Sequence, residues 1–206
     1  MIKVNYQKEL DDILAHLHDI KSVPRLLLHS CCGPCSSYVL EYLTQYFSVT
    51  VLFYNPNIQP EAEYQKRLAW QERLIAALPV KYPVTLLKSD WEGAAFTGAV
   101  QGQENEPEGG SRCTSCFVLR LTKTAELAKS MGFDYFCTTL TVSPHKDAQR
   151  INHLGYEIGE RLGVAWLPSD FKKREGYKRS IQLSADYGLY RQNYCGCLYS
   201  RPKTEE

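Results

Sequence analysis

The chain has 206 residues, 44% of them hydrophobic, with a formal net charge of +1 and ordinary amounts of proline and glycine. That is enough apolar material for one sizeable core without disulfide staples. The near-zero charge excludes a global field for nucleic acid, so any such contact must come from a local basic patch.

The opening stretch, MIKVNYQKELDDILAHLHDIK, is charged and amphipathic and has no apolar region of the secretory kind. No apolar run approaches the ~18 residues of a membrane span. A cytoplasmic protein without membrane contact is expected. Leu10, Ile13, Leu14 and Leu17 recur at helical spacing and predict a helix over 6–20, within an N-terminal helical extension over 1–24. The remainder, 25–206, is expected to form a single α/β domain. Arg25–His29 (RLLLH) predicts a buried strand, with the loop CCGPC directly after it. A helix is expected over 36–47, a strand over 49–54, a turn-rich stop at NPNIQP, a long helix over 61–78 and a third strand over 84–88. Residues 90–112 are polar and glycine-rich, a length of loop that is usually functional or mobile. A helix over 113–131, a strand over 135–140, a helix over 147–162 and a strand over 164–167 follow. The tail from 168 is basic and aromatic.

Strands alternating with helices of this length predict a Rossmann-like, three-layer α/β/α domain with a parallel five-stranded sheet. Such sheets bind ligands beyond the carboxyl ends of their strands, at the switch in strand order. CCGPC stands where chemistry is expected.

Eight cysteines are the outlier of the composition, and seven of them fall in three clusters. In a reducing compartment such clusters suggest metal or redox chemistry. Cys113 and Cys116, spaced i, i+3 at a helix start, put both sulfurs on one face where the helix terminus favours thiolates. Cys31 and Cys32 add two thiols from a loop. Four thiolates suit zinc or a [4Fe–4S] cluster; a vicinal pair bends poorly around one ion but can ligate two corners of a cube. Cys195 and Cys197, with Gly196 between them, could close a small strained ring and thus a labile disulfide, or stand as independent thiols. Cys35 can be read as a spare cluster ligand, as a ligand to a second metal shared with Cys195 and Cys197, or as a buried hydrophobe. Cys137, inside an apolar strand, reads as core. His29 also reads as a core residue, whereas His145, just after the fourth strand, is a candidate for substrate contact or proton transfer.

FKKREGYKR places Lys172, Lys173, Arg174, Lys178 and Arg179 within nine residues, and tyrosines and Arg191 follow. Basic residues interleaved with aromatics suit RNA contact, or form a solvated turn.

HSCCGPCSS, FYNPNIQP, EGGSRCTSCFVLRL, TTLTVSPHKD, LPSDFKKREGYKRSIQLS and YGLYRQNYCGCLYS together resemble the QueH family of epoxyqueuosine reductases, over residues 26–200. The resemblance implies a fold related to the adenine nucleotide α-hydrolases (the HUP fold). It implies reduction of the epoxide of epoxyqueuosine to queuosine at the wobble base of tRNA, a cobalamin-independent oxidoreductase reaction. It implies a [4Fe–4S] cluster on Cys31, Cys32, Cys113 and Cys116, and a redox-active pair at Cys195 and Cys197. Some members carry an aspartate at the position of Cys35, which is tied to a second, mononuclear iron. The expected partners are tRNA carrying epoxyqueuosine and an electron donor that the sequence does not identify. Lys172, Lys173, Arg174, Lys178, Arg179 and Arg191 are candidate tRNA contacts; His145 and Asp147 are candidate proton donors. ATP pyrophosphatases of the same broad fold carry a Gly/Ser-rich phosphate loop after strand one; here thiols replace that cradle, which argues against ATP hydrolysis. Two rival classes remain open on the sequence: a metal- or RNA-binding module with a structural Cys₄ site, and a general thiol–disulfide oxidoreductase.

Overall fold

A computed structural model describes residues 3–201. The strands are β1 (Arg25–His29), β2 (Ser48–Phe53), β3 (Thr85–Lys88), β4 (Tyr135–Thr138) and β5 (Ala165–Trp166). The helices are α1 (Tyr6–Asp19), α2 (Gly33–Leu43), α3 (Glu61–Ala77), α4 (Gly93–Ala99), α5 (Ser111–Ser130), α6 (Ala148–Leu162) and α7 (Gly176–Asp186). All strand pairs are parallel, in the order β3-β2-β1-β4-β5. The chain therefore reverses its direction of growth between β1 and β4, and the crevice of the switch point opens beyond their carboxyl ends.

The central strand β1 has no polar face. Leu26, Leu27 and Leu28 are completely buried, as a parallel strand covered on both sides requires. One core packs α1, α2 and part of α3 against the sheet, with Leu10, Leu14, Leu17, Val39, Leu40, Leu43 and Leu74. The other packs α5 and α6, with Phe117, Leu121, Ala125, Ile151 and Ile158. The stripe read from Leu10, Leu14 and Leu17 is thus buried in the same core as the sheet. No described helix is long and apolar enough to cross a membrane.

Three local expectations change. Helix α2 begins at Gly33, not at Ser36, because Pro34 sits in its first turn, where a missing N–H costs nothing. Cys35 is therefore helical, and Cys32 is the N-cap residue in extended conformation. The stretch 90–112 is not all loop, since it holds α4. The basic tail contains an eleven-residue helix, α7, which packs on α2. Its first residue must be glycine. A Cβ on Gly176 would stand 1.9 Å from the Phe171 carbonyl oxygen and 2.3 Å from the Tyr38 ring.

Candidate functional site

Strand β1 ends at His29, and Ser30, Cys31 and Cys32 carry the chain into α2. His29 is fully buried; its Nδ1 pairs with Thr138 Oγ1 at 2.8 Å and its Nε2 with the Tyr54 carbonyl at 3.2 Å. Burial, then the Arg120 charge, lowers its pKa to about 3, so it is a neutral core residue. Ser30 and Ser36 hydroxyls both donate to Gln71 Oε1, at 2.7 and 2.8 Å, which pins the first turn of α2 to α3.

The sharp turn at this point gathers three sulfurs. Cys31, Cys32 and Cys35 all lie within 4.8 Å of one another, with Cys31 Sγ and Cys32 Sγ 3.8 Å apart. They share protons. Hydrogen bonds from Cys31 and Cys35 hold Cys32 well below the ordinary thiol range, while Cys31, donating to Cys32, is pushed up to about 11 and Cys35, by its hydrogen bonds to Cys31 and Cys32, is raised well above that range. Cys32 is therefore the most acidic of the three.

Cys113 and Cys116 occupy the first two turns of α5. The Cys113 sulfur accepts from the Gly109 N–H at 3.2 Å. Cys116 is buried with Phe96, Val100 and Cys197, and burial pushes its thiol up to about 11. Cys195 and Cys197 come from the C-terminal strap, which crosses the crevice. The strap is fixed by Gln59 N–H to the Gly196 carbonyl (2.9 Å), Arg67 Nη1 to the Cys195 carbonyl (3.1 Å) and Tyr190 Oη to Glu63 (3.2 Å). Gly196 has φ +111°, and a Cβ there would stand 2.9 Å from Ile58 and 3.0 Å from Arg67, so the bend between the two cysteines admits only glycine.

These elements enclose a cavity of about 430 Å³, lined among others by Cys31, Cys35, His145, Lys146, Arg191 and Cys195. Its size suits a nucleoside-sized ligand. A tight crevice next to it is lined by Cys113, Cys116, Cys195 and Cys197, and the two share Glu108, Arg120, Lys146, Cys195 and Ser200. The thiols thus stand in two neighbouring sets: Cys31, Cys32 and Cys35 at the end of β1, and Cys113 and Cys116 with Cys195 and Cys197 opposite. Cys137 is elsewhere, buried in the core.

Of the candidate proton donors, His145 lines the cavity. Asp147 is the N-cap of α6, its carboxylate accepting from Gln149 N–H at 2.9 Å and Arg150 N–H at 3.3 Å, and it does not line the cavity. Of the six candidate RNA contacts, Arg191 alone lines the cavity. Lys172 pairs with Asp170 (2.7 Å), Arg174 with Asp11 (2.5 Å), Lys178 with Glu175 (3.2 Å) and Arg179 with Glu41 (2.5 Å).

Three cavity residues escaped the sequence reading. Lys146, between the two donors singled out, is nearly buried, pairs with Glu108 at 2.8 Å and reaches Cys195 Sγ at 3.5 Å. Arg67 and Arg120 are the largest fully buried side chains of the protein. A signal for Arg120 exists: it interrupts the apolar run FVLRL and follows Cys116 by four residues, on the same helical face.

The family described as epoxyqueuosine reductase QueH matches residues 26–203. The chain is 44% identical to epoxyqueuosine reductase QueH of Streptococcus pyogenes serotype M1, over 96% of its own length and 78% of that protein. It is 43% identical to the Staphylococcus aureus protein of that name, over 96% of its length and 84% of the relative, and 37% identical to that of Thermotoga maritima, over 85% and 89%. Among solved structures, the U34-tRNA thiolase NcsA from Methanococcus maripaludis, with its [4Fe–4S] cluster, superposes with a TM-score of 0.56 over 94% of this chain and 68% of that one; at 12% identity the likeness is one of fold. A match that runs through every cysteine cluster, joined to relatives aligned over 78% to 89% of their length, places this chain in the QueH family of epoxyqueuosine reductases.

Proposed function

We propose that the protein reduces the epoxide of epoxyqueuosine to the alkene of queuosine at the wobble position of tRNA, using an iron–sulfur cluster of the [4Fe–4S] type held by Cys31, Cys32, Cys113 and Cys116. The observation that carries this reading is the convergence of thiols from the end of β1, the start of α5 and the strap on a nucleoside-sized cavity and the tight crevice beside it, at the switch point. The donor set fits the group. The ligands are all thiols, they arrive as two pairs from two different elements, the turn after β1 and the start of α5, and a buried guanidinium, Arg120, with its Nη2 unpartnered, lines both cavities.

Converting an epoxide to an alkene takes two electrons and two protons and releases water. Bound here, the cluster would supply electrons one at a time. The chain's own dithiol balances the whole step. Cys195 and Cys197 would give up two electrons and two protons as they close to a disulfide, and the epoxide oxygen would leave as water. Lys146 stands ready at this step, since its Nζ lies 3.5 Å from Cys195 Sγ and can favour the thiolate electrostatically or return a proton. Its partner Glu108 holds it in place at 2.8 Å. His145 offers a second donor at the cavity wall. The strap and Arg67 orient Cys195 and narrow the water-accessible path. An external donor would restore the dithiol, in the cytoplasm that the composition suggests.

The test is anaerobic turnover of an anticodon stem-loop carrying epoxyqueuosine, followed by digestion and mass analysis of the nucleoside. Wild-type protein loaded with iron and sulfide should remove one oxygen atom. Cys113→Ala should hold little iron and turn over nothing, and Cys197→Ser should keep its iron and lose turnover. Full iron in Cys113→Ala would refute the ligand assignment, and full turnover in Cys197→Ser would refute the dithiol step.

A further inference from the structure

Arg120 is a charge without a counter-charge. It is 1% exposed, it makes no ion pair among the described residues, and its one hydrogen bond runs from Nε to the Cys116 carbonyl of its own helix at 3.2 Å. Its Nη2 is buried and unpartnered. The two other cations that line the crevice of Cys113 and Cys116 are already engaged. Lys146 has Glu108, and Arg112 donates to the Glu104 and Glu106 carbonyls. A buried guanidinium left in that state is costly, so the fold keeps it only where an anion compensates.

The position of Arg120 says which anion. Cys113, Cys116 and Arg120 follow i, i+3, i+7 on α5 and share one face. Arg120 lines both the crevice holding Cys113 and Cys116 and the cavity holding Cys31. Its charge reaches the end of β1, where it helps keep His29 neutral. Burial would weaken its own charge, but Cys116, Cys195, Cys31 and Cys113 together hold its pKa up. Of the two cations that line both spaces, Arg120 and Lys146, Arg120 alone has no carboxylate partner among the described residues.

Resting on the iron–sulfur reading above, we propose that Arg120 is the positioning cation of the cluster: its free Nη2 donates to a cluster sulfur between the two cysteine pairs, and its charge raises the reduction potential. A positive charge beside the cluster favours the form with one more electron, and hydrogen bonds to sulfur act in the same direction.

The experiment uses the full chain, loaded anaerobically with iron and sulfide after growth on arginine labelled with ¹⁵N in the guanidinium. Pulsed electron paramagnetic resonance of the reduced protein should show a ¹⁵N coupling, and Arg120→Lys should lose it. In a redox titration, Arg120→Lys should keep a midpoint near that of wild type, and Arg120→Gln should shift to a more negative one. Loading of the Lys variant but not the Gln variant would also support the charge requirement. A wild-type spectrum without ¹⁵N coupling overturns the proposal whatever the variants do, as does an unchanged midpoint in a loaded Arg120→Gln protein. A coupling that persists in loaded Arg120→Lys or Arg120→Gln protein belongs to another cavity arginine, such as Arg67, and overturns the proposal as well. Wild-type protein that takes up no iron would sink the iron–sulfur reading along with it.

Discussion

Two sets of cations make an instructive pair. The segment from Lys172 to Arg179 is the densest run of positive charge in the sequence, yet in the fold Lys172, Arg174, Lys178 and Arg179 each face a carboxylate. Arg67 and Arg120 lie in helices of mixed charge, outside any such run, and are almost completely buried. Arg67 shares one nitrogen with Glu63 and keeps Nη2 unpartnered, and Arg120 has no acidic partner among the described residues. Charge density along a chain therefore says little about charge available for binding. What matters is whether the folded neighbours have already answered it.

The first way to break this comparison is to remove an answer from the buried set. Glu63 accepts from Arg67 Nε at 2.7 Å, and the Arg67 side chain is 1% exposed. Glu63→Ala leaves a buried guanidinium uncompensated and takes away the acceptor of Tyr190. It should destabilise the fold by about 3 kcal/mol, the low end for breaking a buried pair because Glu63 itself keeps some exposure. Urea unfolding measures it; a loss below about 1 kcal/mol would show that water or a neighbouring carbonyl already serves Arg67.

A second effect, smaller in stability and larger in binding, concerns Arg191. It lines the cavity, is exposed, and donates from Nη1 to the Ser184 hydroxyl at 3.1 Å, with no carboxylate partner among the described residues. Arg191→Gln should weaken binding of the anticodon stem-loop by roughly tenfold, on the order of 1.4 kcal/mol, while thermal unfolding stays where it was. Equal stem-loop affinities for variant and wild type would remove Arg191 from the RNA surface.

Much of this frame was legible in the sequence. The alternation of RLLLH, VTVLFY and later apolar runs with long periodic segments is enough for a parallel sheet, and CCGPC falls at the switch point because it follows the most apolar strand. The two missed helices have local reasons. GAAFTGA is short and carries two glycines, and GYKRSIQLSAD opens on a glycine amid lysines and arginines, so its charge masked its period. The ion pairs were hidden for another reason. Asp11 and Arg174 are 163 residues apart, and Glu41 and Arg179 are 138 apart, so no pattern along the chain connects them. Lys146 was passed over because an isolated lysine is ordinarily solvated, and only the crossing of the strap above it makes it a neighbour of Cys195.

A third measurement sharpens the comparison within the basic segment itself. Neutralising Lys172, Lys173 and Arg174 together would, if all three met phosphates, flatten the dependence of log K on log salt by about 2 for single-stranded RNA, at roughly 0.7 per contact. Lys172 and Arg174 are spent on Asp170 and Asp11, and Lys173 makes no ion pair among the described residues. The slope should therefore change by only about 0.7, with the iron content of the protein unaltered. A change near 2 would mean that RNA pulls both side chains away from their carboxylates.

The smallest effect belongs to the outermost pairs. Arg179 makes two hydrogen bonds to Glu41, from Nε at 2.9 Å and from Nη2 at 2.5 Å, joining α7 to α2. Both side chains are more than a third exposed, at 44% and 37%. Solvent and salt screen such a pair, and ordering two long side chains costs entropy, so a fork of this kind contributes about 0.5 kcal/mol and seldom more than 1. The contact between α7 and α2 does not depend on it, because Gly176 lies against Tyr38. Arg179→Gln should lower the unfolding free energy by about that amount at low salt and by less at 1 M salt, leaving stem-loop affinity untouched. A loss as large as that of Glu63→Ala would place this surface pair with the buried set and erase the distinction between the two. A drop in stem-loop affinity instead would show that Arg179 leaves Glu41 for a phosphate, which would make the carboxylate a gate on the RNA surface.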